Sequence, residues 1–158
     1  MTIEEQILKE VNEKAERAYQ FFLEDLMDVG EQCVNHARKL PSMSRANPLA
    51  KYPHQPNYID DSGNLRSSIG YVVVNDGQII GESAFEAVGN GAEGSATGRS
   101  FAESLVATHP NDAALILVAG MHYAEYVAAK GYDVLDSATL LAEQLINDLT
   151  NTYNQELS

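Results

Sequence analysis

Four histidines, one cysteine and a run of closely spaced glycines are the residues whose chemistry is weighed first. His122 and Glu125 stand three apart in "HYAE", a spacing that puts two metal-ligating side chains on one face of a short helix. A catalytic zinc site needs three protein ligands, and no H-E-x-x-H or Cys/His cluster supplies the third. The pair therefore reads as a surface or satisfied boundary pair. His54, between Pro53 and Gln55, reads as a solvated loop histidine. "GNGAEG", Gly89–Gly94, matches G-x-G-x-x-G, and Asp112 lies downstream at a plausible distance. A dinucleotide fingerprint closes a buried strand and opens a crossover helix. Here "SAFEAV" precedes the glycines, and Glu93 would face a pyrophosphate. A flexible glycine loop is the better reading. "GSATG" holds its serine one place too early for a nucleophile elbow. Nothing in the chain assembles a nucleophile, a base and an orienting group, so no enzyme, no cofactor and no metal are expected.

The lone Cys33 forms no intrachain disulfide and falls on an apolar helical stripe, as a small core residue does. That stripe is Ile7, Val11, Ala15, Ala18, Phe22, Leu26, Val29, Cys33 and Ala37, recurring in steps of three and four. It predicts one helix over residues 3–39, with Gly30 as a weak point and Pro41 as its stop. So long a helix on so small a domain is expected to project or to pack on a neighbour. Residues 41–64 are rich in Pro, Asn, Ser and Asp, lack either periodicity, and predict a long surface loop. Asp61 or Ser62 caps a short turn that presents Leu65 and Ile69 on one side. "YVVV" and "QIIGES" flank Asp76-Gly77 and predict an antiparallel hairpin. Ser100 and Glu103 predict a capping box opening a short helix. "AALILVAGM" is apolar throughout and predicts a central strand. Tyr123, Tyr126 and Val127 then mark about two helical turns, ended by a left-handed Gly131 with Lys130 beside it. Leu141, Leu145, Leu149 and Tyr153 stripe a last helix over 136–156.

The expected fold class is α+β: a small, mainly antiparallel sheet packed with long N-terminal and C-terminal helices, in a single domain spanning 1–158, with the sheet and short helices over 65–131. A chain of 158 residues with a hydrophobic fraction of 44% has enough apolar content for such a core. Its formal charge of −13 gives no basic footprint for nucleic acid and would repel phosphate backbones and anionic lipids. From Asp133 to Ser158 there are acidic residues and no Lys or Arg. That run reads as a solvated helix face, or as a surface that DNA slides past. The acidic start "MTIEEQILKEVNEKAE" lacks the pattern of a secretory signal, and no stretch reaches the about 20 apolar residues of a membrane span. Folding in a cytoplasm is expected.

Two segments share a resemblance. "DSGNLRSSIGY" resembles the S/T-G-x-L-R-x-S-I element of the small neck or tail-completion (head–tail joining) proteins of long-tailed bacteriophages and prophages. "AGMHYAEYVAAKGYDVL" resembles that family's strand followed by Y-A-x-Y-V-x-x-G. The likeness covers roughly residues 60–136, and the flanking helices match in kind. Ala128 stands where many members carry Glu, and Gly131 leads into "YDVLDSA" rather than a Pro-Phe-rich entry to the last helix. The resemblance implies a structural virion protein without cofactor or catalytic residues. It implies a homo-oligomeric ring between the head connector and the tail tube or terminator. It implies packing or interface roles for Leu65, Arg66, Ile69, Tyr123, Tyr126 and Gly131. Leu65 and Ile69 would anchor the loop–strand junction, Arg66 would pair with an acidic group, and the tyrosines would wedge the short helix on the sheet. The alternative is a cytoplasmic protein–protein interaction module with no phage role.

Overall fold

The computed structural model describes residues 1–40, 60, 62–129 and 133–157. The first helix, α1, runs Ile3–Arg38. A reciprocal capping box starts it: the Glu5 amide donates to Thr2 Oγ1 at 3.1 Å, and the Thr2 amide donates to Glu5 Oε2 at 2.8 Å. The expected stripe is used in one half only. Leu26, Val29, Cys33 and Ala37 are buried, whereas every residue from 1 to 17 is exposed. Gly30 is not a weak point but a contact: a Cβ there would lie 2.7 Å from the Tyr71 ring, so only glycine lets α1 approach the sheet this closely.

The sheet has three antiparallel strands in the order β2-β1-β3, where β1 is Ile69–Asn75, β2 is Gln78–Glu82 and β3 is Ala113–Ala119. Asp76 (φ 50°) and Gly77 (φ 78°) form the hairpin turn the Asp-Gly pair predicts. β1 is central and is buried over its first six residues. The apolar run "AALILVA", expected to be central, is instead the edge strand β3. It is apolar on both sides because both faces are covered. Leu115 and Leu117 pack toward the α1 side, and Ile116 and Val118 pack toward α3 (Ala92–Leu105). Helical cover, not strand neighbours, dictates that composition. The β1–β3 register is unbroken, while the β1–β2 register shifts between Val73 and Val74.

The glycine-rich segment is a loop only as far as Gly91. α3 begins at Ala92, and Ser100 lies inside it, so the expected capping box at Ser100 and Glu103 does not open the helix. Gly91, Gly94 and Gly98, spaced three and four apart, line the side of α3 against the short helix α2 (Asn64–Ser67) and Ser68. A Cβ on Gly94 would meet the Asn64 carbonyl oxygen at 2.0 Å, and one on Gly98 would meet that of Ser68 at 2.4 Å. A helical stripe of small residues was visible in the spacing, but glycine's usual meaning as a breaker hid it.

α4 (Ala124–Ala129) and α5 (Asp136–Leu157) complete the chain. Asp133 accepts the Ser137 amide at 3.1 Å and so caps the start of α5. α5 lies antiparallel along the second half of α1. His36 Nε2 meets Ser137 Oγ at 2.8 Å at one end, and Phe22 and Tyr153 stack edge to face at 5.8 Å at the other. Leu141, Leu145 and Leu149 pack on the main core as their spacing predicts. The result is α+β: α1 and α5 on one face of the sheet, α3 on the other. Among the described residues no helix is long and apolar enough to cross a membrane.

Candidate interface corner

Asp60 organises the corner where the two quoted segments meet. Its carboxylate accepts the amides of Leu65 (3.2 Å) and Arg66 (3.0 Å), capping α2 from outside the helix. Asp61, one of the two expected caps, lies outside the described residues, and Ser62 accepts instead from the Asn64 amide at 3.2 Å. α2 is one turn long and could not persist alone. Its neighbours hold it through side-chain hydrogen bonds. Asn64 Oδ1 accepts the Gly94 amide at 3.0 Å, and Ser67 Oγ accepts the Val88 amide at 2.7 Å. Ser68 Oγ donates to the Leu65 carbonyl at 2.6 Å and accepts from the Met121 amide at 3.3 Å. The Ser68 carbonyl accepts the Gly120 amide at 3.1 Å. Ser67 and Ser68 are fully buried, and these bonds satisfy them. Ser68 thus joins "NLRSSIGY" to "AGMHYAEY" directly.

Leu65 and Ile69 are buried in the main core, at the loop–strand junction. Arg66 reaches α1: its Nη1 donates to the Arg38 carbonyl at 2.9 Å, and its Nη2 donates to the Leu40 carbonyl. A guanidinium at a helix C-terminus satisfies carbonyls that have no intrahelical partner and complements the dipole. Arg38 in turn donates to the Glu86 carbonyl at 2.5 Å. The two tyrosines part company. Tyr123 is half-buried against the core; burial pushes its phenol pKa up, the nearby Asp60 and Glu93 charges add to that, and a Ser62 hydrogen bond opposes it. Tyr126 is 62% exposed, so only Tyr123 fills the expected wedge role. Ala124, Val127 and Ala128 are the inward residues of α4. Gly131 and Lys130, with the predicted left-handed cap, lie outside the described residues, as do His54 and most of the 41–64 loop.

The chemical candidates are spread apart. His122 is exposed and stacks edge to face on Tyr123 at 5.3 Å. His109 meets Asp112 at 3.1 Å on the surface. No cluster of three or more His, Cys, Asp or Glu side chains that could hold a metal occurs among the described residues. Cys33 is buried, and burial pushes its thiol pKa up. Sequence reading missed Phe85. It sits at φ 49° with 3% exposure, its ring covering Gly70 and lying 5.5 Å beneath the Arg99 guanidinium. Arg99 is tied to Glu82 (3.1 Å) and to the Ala84 carbonyl (2.9 Å), which holds that strained residue in place. Positive φ on a bulky residue has no signature in sequence.

No family model, no curated protein and no solved structure matches this chain. The reading of the corner therefore stands on its residues.

Proposed function

We propose that this protein is a structural virion component of the neck or tail-completion type, a ring subunit joining a phage or prophage head connector to the tail. The observation that carries the reading is the corner itself. The two segments that resemble the family, 52 residues apart between Ser68 and Gly120, are zipped together by the Ser68 backbone and side chain. The corner holds α1, α2, α3 and β3 together through hydrogen bonds and packing of its described side chains. Such a frame suits a subunit that must present surfaces to several neighbours at set angles. The projecting first half of α1 and the exposed Tyr126 supply apolar surface for those contacts. The charge of −13 suits a passage through which DNA moves without adhering.

The test is electron microscopy of particles from a lysogen in which the gene is deleted in frame. DNA-filled heads with separate or malformed tails are expected, with rescue by the gene in trans. Normal, infectious particles would sink the neck reading. They would favour the cytoplasmic interaction module, for which the same exposed surfaces would serve a cellular partner.

A further inference from the structure

The sheet has two edges, and they are made differently. β2 is five residues long and ends at Glu82, which is tied to Arg99 at 3.1 Å. Its ladder is interrupted where Ile80 has no counterpart between the Val73–Gly81 and Val74–Ile79 pairs. A short, bulged strand with charge on it keeps an unpaired edge from pairing. β3 has none of these devices. It is seven residues long, its register on β1 is unbroken, and Ala113–Ala119 contains no charged residue, proline or glycine. All of its side chains are apolar, yet six of the seven residues are only partly buried.

The outer backbone groups of β3 are unmet as well. The Asp112 carbonyl accepts the Asp76 amide, and the Gly120 amide donates to the Ser68 carbonyl, so the even-numbered residues bond to β1. The amides and carbonyls of Ala113, Leu115, Leu117 and Ala119 face outward, and none has a partner among the described residues. Such a row of alternating donors and acceptors is complementary to the backbone of another strand. The side chains select which strand. "AALILVA" reads nearly the same from either end: about Ile116, leucine matches leucine, Ala114 matches Val118, and alanine matches alanine. Two copies aligned antiparallel on that centre set Leu115 against the other's Leu117 and Ala113 against its Ala119. These are the residues whose backbone groups point outward, so each such pair exchanges both hydrogen bonds. Large side chains meet large and small meet small, whereas sliding one strand by two residues sets leucine against alanine. Neither strand brings a charge to the contact, which matters between copies that each carry −13.

We infer that two copies of this chain pair through β3, antiparallel about Ile116, and join their sheets into one. The contact is isologous: each copy offers the same edge, and the pair closes on itself. The inference does not depend on the neck reading, since a subunit awaiting assembly and an interaction module would protect this edge alike.

The experiment is disulfide mapping on the full-length chain, with hydrogen exchange on the wild type. In this register the two copies of Ile116 face each other as a non-hydrogen-bonded pair, with Cα atoms about 4.5 Å apart and within reach of a disulfide. Ile116→Cys is therefore expected to cross-link with itself under mild oxidation, to a dimer and no further. Ala114→Cys is expected to cross-link only when mixed with Val118→Cys, because those positions face each other across the pair. The native Cys33 is buried and does not compete, and circular dichroism checks that each variant is folded. In wild type, exchange at the Leu115 and Leu117 amides is expected to slow at least about tenfold from micromolar to millimolar concentration, as pairing covers what the diluted, unpaired chain leaves open. Exchange at these amides that ignores concentration overturns the inference, whether or not a variant folds. Ala114→Cys that cross-links as readily alone as with Val118→Cys also overturns it, because that would be collision rather than register. Slowed exchange with no cross-link in the folded variants would give the edge to a different strand, such as β2 of a second copy, and overturns it too.

Discussion

Arg66 closes a gap that the fold would otherwise leave open. α1 ends at Arg38, and the carbonyls beyond its last turn have no intrahelical donors. The Arg66 guanidinium supplies two, at Arg38 and Leu40. Hydrogen bonds from a charged donor contribute about 1.5–3 kcal/mol each when lost against a partly buried partner. Two such bonds sum to about 3–6 kcal/mol, and water regains part of that at a half-buried site, so Arg66→Ala should lower unfolding free energy by about 2–4 kcal/mol, with Arg66→Lys intermediate because an ammonium cannot span both carbonyls. Urea denaturation measures this; a loss under about 0.5 kcal/mol, the range of ordinary surface changes, would show that the cap is dispensable. Tyr153 gives a second residue-scale test. Loss of hydration first, and then the Asp25 hydrogen bond and charge, push its pKa up to about 12. The folded state thus holds a proton that the unfolded chain releases near pH 10. Its contribution to stability is complete below about pH 10 and is lost as pH rises toward 12. Tyr153→Phe should remove from the ultraviolet titration a phenolate that forms near pH 12; if the component it removes lies near pH 10, the coupling to Asp25 fails. Sequence spacing located Tyr153 and Arg66 but not their partners. Asp25 and Tyr153 are 128 residues apart, and a helix-end carbonyl has no letter in the sequence.

At the scale of elements, periodicity revealed which residues share a face and said little about what covers that face. The stripes of α1 and α5 and the Asp-Gly hairpin were legible because each is a local pattern. The glycines of α3 were not, because close helix packing and loop flexibility use the same residue. β3 was misplaced because double-sided helical cover gives an edge strand a central strand's composition. Its position makes a sharp forecast. Asp112 accepts the Asp76 amide and Gly120 donates to Ser68, so the even-numbered residues of β3 turn their backbone groups toward β1. The amides of Ala113, Leu115, Leu117 and Ala119 then point off the edge, where no described backbone group meets them. Hydrogen exchange followed by NMR should alternate along β3 in the isolated chain: slow at Ala114, Ile116 and Val118, at least about tenfold faster at the odd positions. Uniformly slow exchange would mean that another chain or segment covers this edge.

For the whole molecule, net charge and exposed apolar surface pull in opposite directions. Copies carrying −13 repel one another at long range. Ile3, Ile7, Leu8 and Val11 stand exposed on the first half of α1, and burying such side chains between copies is favourable. Charge on that half opposes the contact, because Glu4, Glu5, Glu10, Glu13 and Glu16 outnumber Lys9, Lys14 and Arg17. Salt weakens the repulsion and leaves the apolar attraction in place. The screening length falls from about 30 Å at 0.01 M to about 10 Å at 0.1 M and about 3 Å at 1 M. Self-association of the purified chain should therefore climb across that series, since only the opposing term is screened. Ile7→Lys/Val11→Lys should flatten the climb, because it removes apolar surface from the exposed half of α1. Sedimentation velocity across the series reads both curves. A wild-type curve that falls toward about 1 M salt would show instead that charged pairs at contact hold the copies together.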